Sequence, residues 1–167
     1  FVQIDEGFLI MKKRILVIDD FTDIRKLFVR SLEDTCYKVD TAASGEIGIK
    51  MHKRAKYNLI FLDLNMPGMS GIDTLREIRK SDTDVPVYIV TALYKDYLEE
   101  IKKAFNDGIN FFIAHKPITP DQIAVIVTET LGGLNIDKLI KGRHFTGFKK
   151  AKVPLDLLLK EGVHPMN

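Results

Sequence analysis

The 167-residue chain has a single cysteine, Cys36, so no intrachain disulfide can staple it. A reducing compartment is the simpler setting for such a chain, and the thiol is given no catalytic role. Long apolar runs are also missing: nowhere do about 18 apolar residues follow one another, the length a membrane-spanning helix requires. The first ten residues, FVQIDEGFLI, lack the basic start of a secretory signal and include Asp5 and Glu6, which leaves a cytoplasmic protein as the expectation. Nor is there an excess of charge of one sign. Lys and Arg number 25 against 23 Asp and Glu, a formal +2, so the balance names neither a nucleic acid nor a membrane surface as partner. Both ends of the chain lack internal repeats and low-complexity tracts.

What the chain does have is an ordinary globular composition, 46% hydrophobic and 29% charged, well away from the disordered and fibrous extremes. Its length suits one domain of roughly 100–150 residues with some chain to spare. Met11 is followed by KKR and then by the apolar ILVIDD, so residues 1–11 read as an N-terminal extension. From Arg14 onward, short apolar runs alternate with longer amphipathic ones. RILVID, YKVDTAA, NLIFLD, PVYIVTA and INFFIA are short, rich in Val, Ile, Phe or Tyr, and bounded by polar or turn residues, which predicts strands.

Between them the apolar spacing is helical. Ile24, Leu27, Phe28 and Leu32 form one stripe, with Thr22 or Asp23 as its cap; Ser44 caps a second with Ile47 and Met51; Ser70 caps a third with Ile72, Leu75 and Ile78. Tyr94, Tyr97, Leu98, Ile101, Ala104 and Phe105 make a fourth, ending at Gly108, and Thr119-Pro120 opens a fifth that runs through Ile123, Ile126 and Val127 to Gly132-Gly133. Five strands alternating with five helices predict right-handed crossovers and a parallel sheet covered on both faces, an α/β fold. In such sheets ligands bind beyond the carboxyl ends of the strands.

Those strand ends carry acids. The apolar run LIFL meets Asp63, and the first strand ends in Asp19 and Asp20. Neighbouring strands of an open parallel sheet would bring the three carboxylates into one small concavity. Like charges so placed raise one another's pKa or call for a cation, and an oxygen-only cluster suits a hard divalent ion, with Mg²⁺ the natural candidate. With its charge offset, Asp63 could approach a phosphate donor as a nucleophile. Two other strand ends supply what a transferred phosphoryl group needs: a hydroxyl at Thr91 and a fixed positive charge at Lys116. Taken singly, an Asp pair after a strand reads as a helix cap before it reads as a metal site; four strand ends each carrying a fitting group favour the joint reading.

With ILVIDD, LIFLDLNMPGMSGIDTLREIR, the VTA at Val90 to Ala92 and Lys116-Pro117 in this order, the chain resembles a response regulator receiver domain of two-component signalling, over residues 12–133. The resemblance implies a three-layer (βα)5, flavodoxin-like or CheY-like fold with a five-stranded parallel sheet in the order 2-1-3-4-5. It implies Asp63 as phosphoacceptor, and Asp19, Asp20 and Asp63 as Mg²⁺ ligands together with the backbone carbonyl of Asn65. Thr91 is then the switch hydroxyl and Lys116 the cation that pairs with the phosphoryl group. Asn65 and Leu93 occupy positions that in this family tune the phosphoryl lifetime. The implied partners are a sensor histidine kinase or phosphotransfer protein upstream and a protein target downstream, and the implied chemistry is the domain's own phosphorylation and dephosphorylation rather than conventional enzyme turnover.

Two spacings depart from the family. Gly108 to Lys116 is one residue longer than is common, so either Phe111 or Phe112 stands for the aromatic that receivers place shortly before the Lys, because one extra strand residue reverses the facing of those beyond it unless a bulge absorbs it. His115 reads as a surface residue or as a pH-sensitive neighbour of the phosphate. Thr91 to Gly108 is also long, which marks the loop near Leu93 to Asp96 as unusual.

Residues 134–167 form a C-terminal tail, too short for the usual winged-helix output domain. KLIKGRHFTGFKKAK is basic and reads as a solvated face before it reads as a nucleic-acid site. VPLDLLLKEGV has the spacing of a short amphipathic helix that would pack on the receiver, join a second protomer as a homodimer or engage a target. The rival readings are a receiver-like binding module that is never phosphorylated, an aspartate-nucleophile phosphatase and a flavin protein. The phosphatase wants an Asp where Asn65 stands, and the anionic DDFTD loop would repel a flavin phosphate.

Overall fold

The computed structural model describes residues 12–92 and 95–132. The N-terminal extension, Leu93, Tyr94, Gly133 and the tail with its basic and amphipathic segments lie outside the described residues. Ten elements alternate: β1 (Arg14–Ile18), α1 (Thr22–Leu32), β2 (Lys38–Ala42), α2 (Gly45–Arg54), β3 (Leu59–Leu62), α3 (Gly71–Ser81), β4 (Val87–Thr91), α4 (Leu98–Asn106), β5 (Phe112–His115) and α5 (Pro120–Leu131). The five strands form one parallel sheet in the order β2-β1-β3-β4-β5, as the resemblance implied.

Strand alternation divides the core in two. Leu16, Ile18, Ile60, Leu62, Val87, Ile89 and Ile113 face one side, where Ile49 of α2, Leu75 and Ile78 of α3 and Ile101 of α4 cover them. Ile15, Val17, Leu59, Phe61, Tyr88 and Val90 face the other, against Phe28 and Leu32 of α1 and Ile123, Ile126 and Val127 of α5. Both faces being covered, β3 and β4 are buried at every position, which is why they read as unbroken apolar runs.

Ser44 and Ser70 cap α2 and α3 through their side chains, and Thr119 caps α5 in a reciprocal box with Gln122. Gly108, with φ of +78°, follows the end of α4 in a conformation that costs glycine little. Three expectations are corrected. The cap position of α1 is Phe21, with no side-chain cap, and Thr22 is already helical; the preceding turn is held instead by Asp19, whose Oδ1 accepts from the Phe21 N–H at 2.9 Å. Ile47 is 45% exposed; α2 approaches the sheet through Gly48, where a Cβ would lie 2.4 Å from Ile18 Cδ1, and buries Ile49 instead. β5 starts at Phe112, three residues later than INFFIA suggests, because residues 109–111 turn out of α4 before the ladder begins.

Candidate functional site

The sheet ladder places the acids. Ile18 and Leu62 are in register on adjacent strands, and the pairing continues one step further, the Asp63 N–H donating to the Ile18 carbonyl at 2.9 Å. Asp19 and Asp63 therefore leave the sheet side by side. One carboxylate oxygen each from Asp19, Asp20 and Asp63 lie within 4.8 Å of one another, with Asp19 only 2% and Asp63 4% exposed.

Lys116 reaches this cluster from β5. Its backbone N–H donates to the Thr91 carbonyl at 3.1 Å, and its Nζ stands 2.7 Å from Asp19 Oδ2 and 3.2 Å from Asp63 Oδ1. The extra residue before Lys116 does not displace it. The β4–β5 register runs unbroken from Tyr88 opposite Phe112 to Thr91 opposite His115, so the insertion is absorbed in the loop of residues 109–111 and no bulge is needed.

That register settles the facing of the aromatics. Phe112 shares a face with Tyr88, on which its ring stacks at a centroid distance of 4.8 Å, whereas Thr91 follows Ile89 on the opposite face. Phe111 is on the Thr91 side, packed against the cluster that holds Ile89, but precedes the first residue of β5. The strand residue on the Thr91 face, two before His115, is the buried Ile113. Thr91 itself is 1% exposed, and His115 is an exposed residue at the end of β5.

Three carboxylates against one ammonium leave the concavity with a formal charge of −2 when all are ionised. Burial pushes the Asp63 carboxyl above its usual value; Lys116 opposes that push and Asp19 adds to it. Asp20 Oδ1 is buried with no hydrogen-bond partner among the described residues, an arrangement native proteins keep rarely and usually for an ion, a water or a function. An all-oxygen donor set, an orphaned carboxylate oxygen and a residual −2 fit a hard divalent cation such as Mg²⁺.

The loop beyond Asp63 is shaped by close approach. The N–H of Gly71 donates to the Leu64 carbonyl at 3.0 Å, and a Cβ on Gly71 would stand 2.1 Å from the Asp63 carbonyl oxygen, so only glycine lets α3 start there. Gly68 takes φ of +81°. Asn65 is exposed on this loop, its Oδ1 accepting from the Tyr97 hydroxyl at 2.9 Å, a bond that joins the loop after β3 to the start of α4.

Two of these partners were not singled out by the sequence reading. Arg25 donates to the backbone carbonyls of both Asp19 and Asp20, yet on the page of letters it is one of several bases on α1. Tyr97 counted only as part of an apolar helical stripe, and nothing in the spacing signals its reach to Asn65.

The Response regulator receiver domain model matches residues 15–128. The chain belongs to the response regulator receiver family. Among its relatives, the chemotaxis protein CheY-3 of Vibrio cholerae is 34% identical over 117 residues, covering 68% of this chain and 88% of that protein. The transcriptional regulatory protein ResD of Bacillus subtilis is 36% identical over 118 residues, 71% of this chain, and the match spans only 48% of ResD, so the receiver chain corresponds to about half of that regulator. The structure of the response regulator TrrA of Thermotoga maritima, titled as a complex with Mg(2+)-BeF, superposes with a TM-score of 0.61 at 34% identity, covering 71% of this receiver and 99% of TrrA.

Proposed function

We propose that this receiver is the phosphoacceptor of a two-component phosphorelay, with Asp63 taking a phosphoryl group from the phosphohistidine of a sensor kinase or phosphotransfer protein. The observation that carries the reading is the Lys116 ammonium bridging Asp19 and Asp63 at 2.7 and 3.2 Å beside the orphaned oxygen of Asp20. In the transfer an Asp63 oxygen forms a bond to phosphorus while the phosphorus–nitrogen bond of the donor breaks and the imidazole leaves. Lys116, freed from part of its pairing with Asp63, accompanies the arriving phosphoryl oxygens. Thr91, at the end of the neighbouring strand, donates its hydroxyl to one of them.

Asp19, Asp20, Asp63 and the Asn65 carbonyl would hold Mg²⁺, which when bound supplies the charge neutralisation that lets an anionic nucleophile and an anionic phosphoryl group meet. Rigid strands fix Asp63 just past the carboxyl end of the central strand β3, the end of such sheets at which ligands bind. The buried residue of β5 on the Thr91 face is Ile113, so movement of Thr91 toward the phosphoryl group would be accommodated within the strand by an aliphatic neighbour, Phe112 facing the other way and Phe111 preceding the strand. The output is an altered surface for a downstream protein in the cytoplasm, in keeping with the absence, among the described residues, of any helix able to cross a membrane.

Intact mass after incubation with a small phosphoryl donor, with and without Mg²⁺, tests the reading. A Mg²⁺-dependent, hydroxylamine-labile phosphoryl adduct that Asp63→Asn abolishes is expected. A folded, Mg²⁺-binding protein that forms no adduct would instead be a phosphorylation-independent binding module, and steady turnover of a phosphomonoester would revive the phosphatase.

A further inference from the structure

We infer that Arg25 is a positioning residue for the divalent-cation site, setting cation affinity through the backbone of the two acids that hold the ion. The inference rests on the proposed function above. Its starting point is what the loop between β1 and α1 lacks. α1 has no side-chain cap, the usual device for fixing the entry to a helix, and the side-chain bond within that turn, from the Phe21 N–H to Asp19 Oδ1, leaves the Asp20 peptide to be held by other means. Asp20, the second residue of that loop, has a buried carboxylate oxygen without a partner among the described residues, so no hydrogen bond to that oxygen holds it, and the backbone that carries the side chain matters the more for where it points.

Arg25 fixes that backbone. From the second turn of α1, its Nη1 donates to the Asp19 carbonyl at 2.7 Å and to the Asp20 carbonyl at 2.9 Å, while Nη2 donates to Thr22 Oγ1 at 3.0 Å. One planar guanidinium thus ties both acids' peptide groups to the first turn of the helix. A lysine ammonium has three donors but on one nitrogen, so it lacks the second arm that holds the Thr22 hydroxyl while the first holds the two carbonyls. The neighbouring base Lys26 is exposed, and no hydrogen bond joins it to the acids, which makes it the matched control for the loss of a positive charge on α1.

Groups that orient metal ligands typically cost about 10–100-fold in metal affinity when removed. Arg25→Met is therefore expected to weaken Mg²⁺ binding, measured by calorimetric titration of the whole chain, by roughly tenfold or more. Arg25→Lys should fall between, and Lys26→Met should bind like the parent protein. In phosphorylation by a small donor, the Mg²⁺ concentration for half-maximal rate should rise in the Arg25 variants while the rate at saturating Mg²⁺ stays near that of the parent, a split that general loss of structure does not produce. Circular dichroism establishes that each variant is folded, and Arg25→Lys decides the matter should Arg25→Met not fold. Unchanged Mg²⁺ affinity in folded Arg25 variants, or an equal loss in Lys26→Met, overturns the inference while leaving the phosphoacceptor reading intact. A parent protein that binds no Mg²⁺ overturns both.

Discussion

Replacing Asp63 by asparagine should make the metal-free protein more stable, although it removes one side of a buried ion pair. At an effective dielectric constant of about 20, Lys116 at 3.2 Å attracts the Asp63 charge by roughly 5 kcal/mol, and Asp19 repels it by less than that. Burial of the group outweighs the pairing with Lys116 and sets the sign, with Asp19 adding to it. The amide keeps the shape and loses the charge, and Lys116 keeps Asp19 at 2.7 Å. With a net gain of about 1 kcal/mol, ordinary for a single substitution, and a urea slope near 2 kcal/mol per M, the unfolding midpoint should rise by about 0.5 M at neutral pH. The pH dependence follows from the raised pKa of Asp63. A carboxyl whose folded value exceeds its unfolded one costs nothing below about pH 3.9; the penalty grows as pH rises and is complete above the folded value. The gain in Asp63→Asn should therefore be absent at the acid end of that window and level at its neutral end, and saturating Mg²⁺ should shrink it by stabilising the parent more. Circular dichroism during urea titration, across pH and with and without Mg²⁺, measures all three. A variant no more stable than the parent at neutral pH, or a difference that ignores pH, would refute the claim that repulsion and burial outweigh Lys116 in this cluster.

Two further outcomes are expected. Tyr97→Phe loses the hydroxyl that Asn65 accepts and should shorten the half-life of phosphorylated protein by up to about fivefold, the value of one hydrogen bond near 1 kcal/mol, with the urea midpoint nearly unmoved; decay of the intact-mass adduct reads it out, and an unaltered half-life would exclude Tyr97 from setting the lifetime. His52 is buried 3.4 Å from Asp82, and burial holds its imidazole below the usual value against the pull of Asp82, so its contribution to stability is complete above about pH 6.5 and is lost as pH falls from there through the folded value. His52→Leu, which also removes the buried unpartnered Nδ1, should flatten the pH dependence of the urea midpoint in that window, whereas an unchanged slope would rule His52 out as its source.

The sheet and the acid cluster were legible in the letters because they rest on patterns that local chemistry enforces. A strand buried on both faces must be apolar throughout, so LIFL announced its place, and an acid directly after it announced a strand end that carries a charged group. The caps Ser44, Ser70 and Thr119 were readable for a similar reason, each satisfying orphan N–H groups within three residues. The α1 cap was misread because Thr22 and Asp23 have the right chemistry, while the competing demand came from Asp19, which had already turned its carboxylate to the Phe21 N–H. The count from Gly108 to Lys116 showed an extra residue but could not say where it would go.

By itself, then, the sequence determined the alternation of elements, the two-sided core and the identity of the charged groups at the strand ends, since periodicity and side-chain type are properties of neighbours along the chain. Tertiary structure decided what depends on distance between segments. It absorbed the insertion before β5, kept Lys116 against Asp19 and Asp63, and turned Phe112 onto Tyr88 while placing Ile113 on the Thr91 face. It also brought Arg25 back to two backbone carbonyls, Tyr97 across to Asn65 and His52 beside Asp82. Each of these is a contact between groups whose letters fit many other settings, and a hydrogen bond or ion pair is chosen by geometry within about 3 Å that only the packed fold sets.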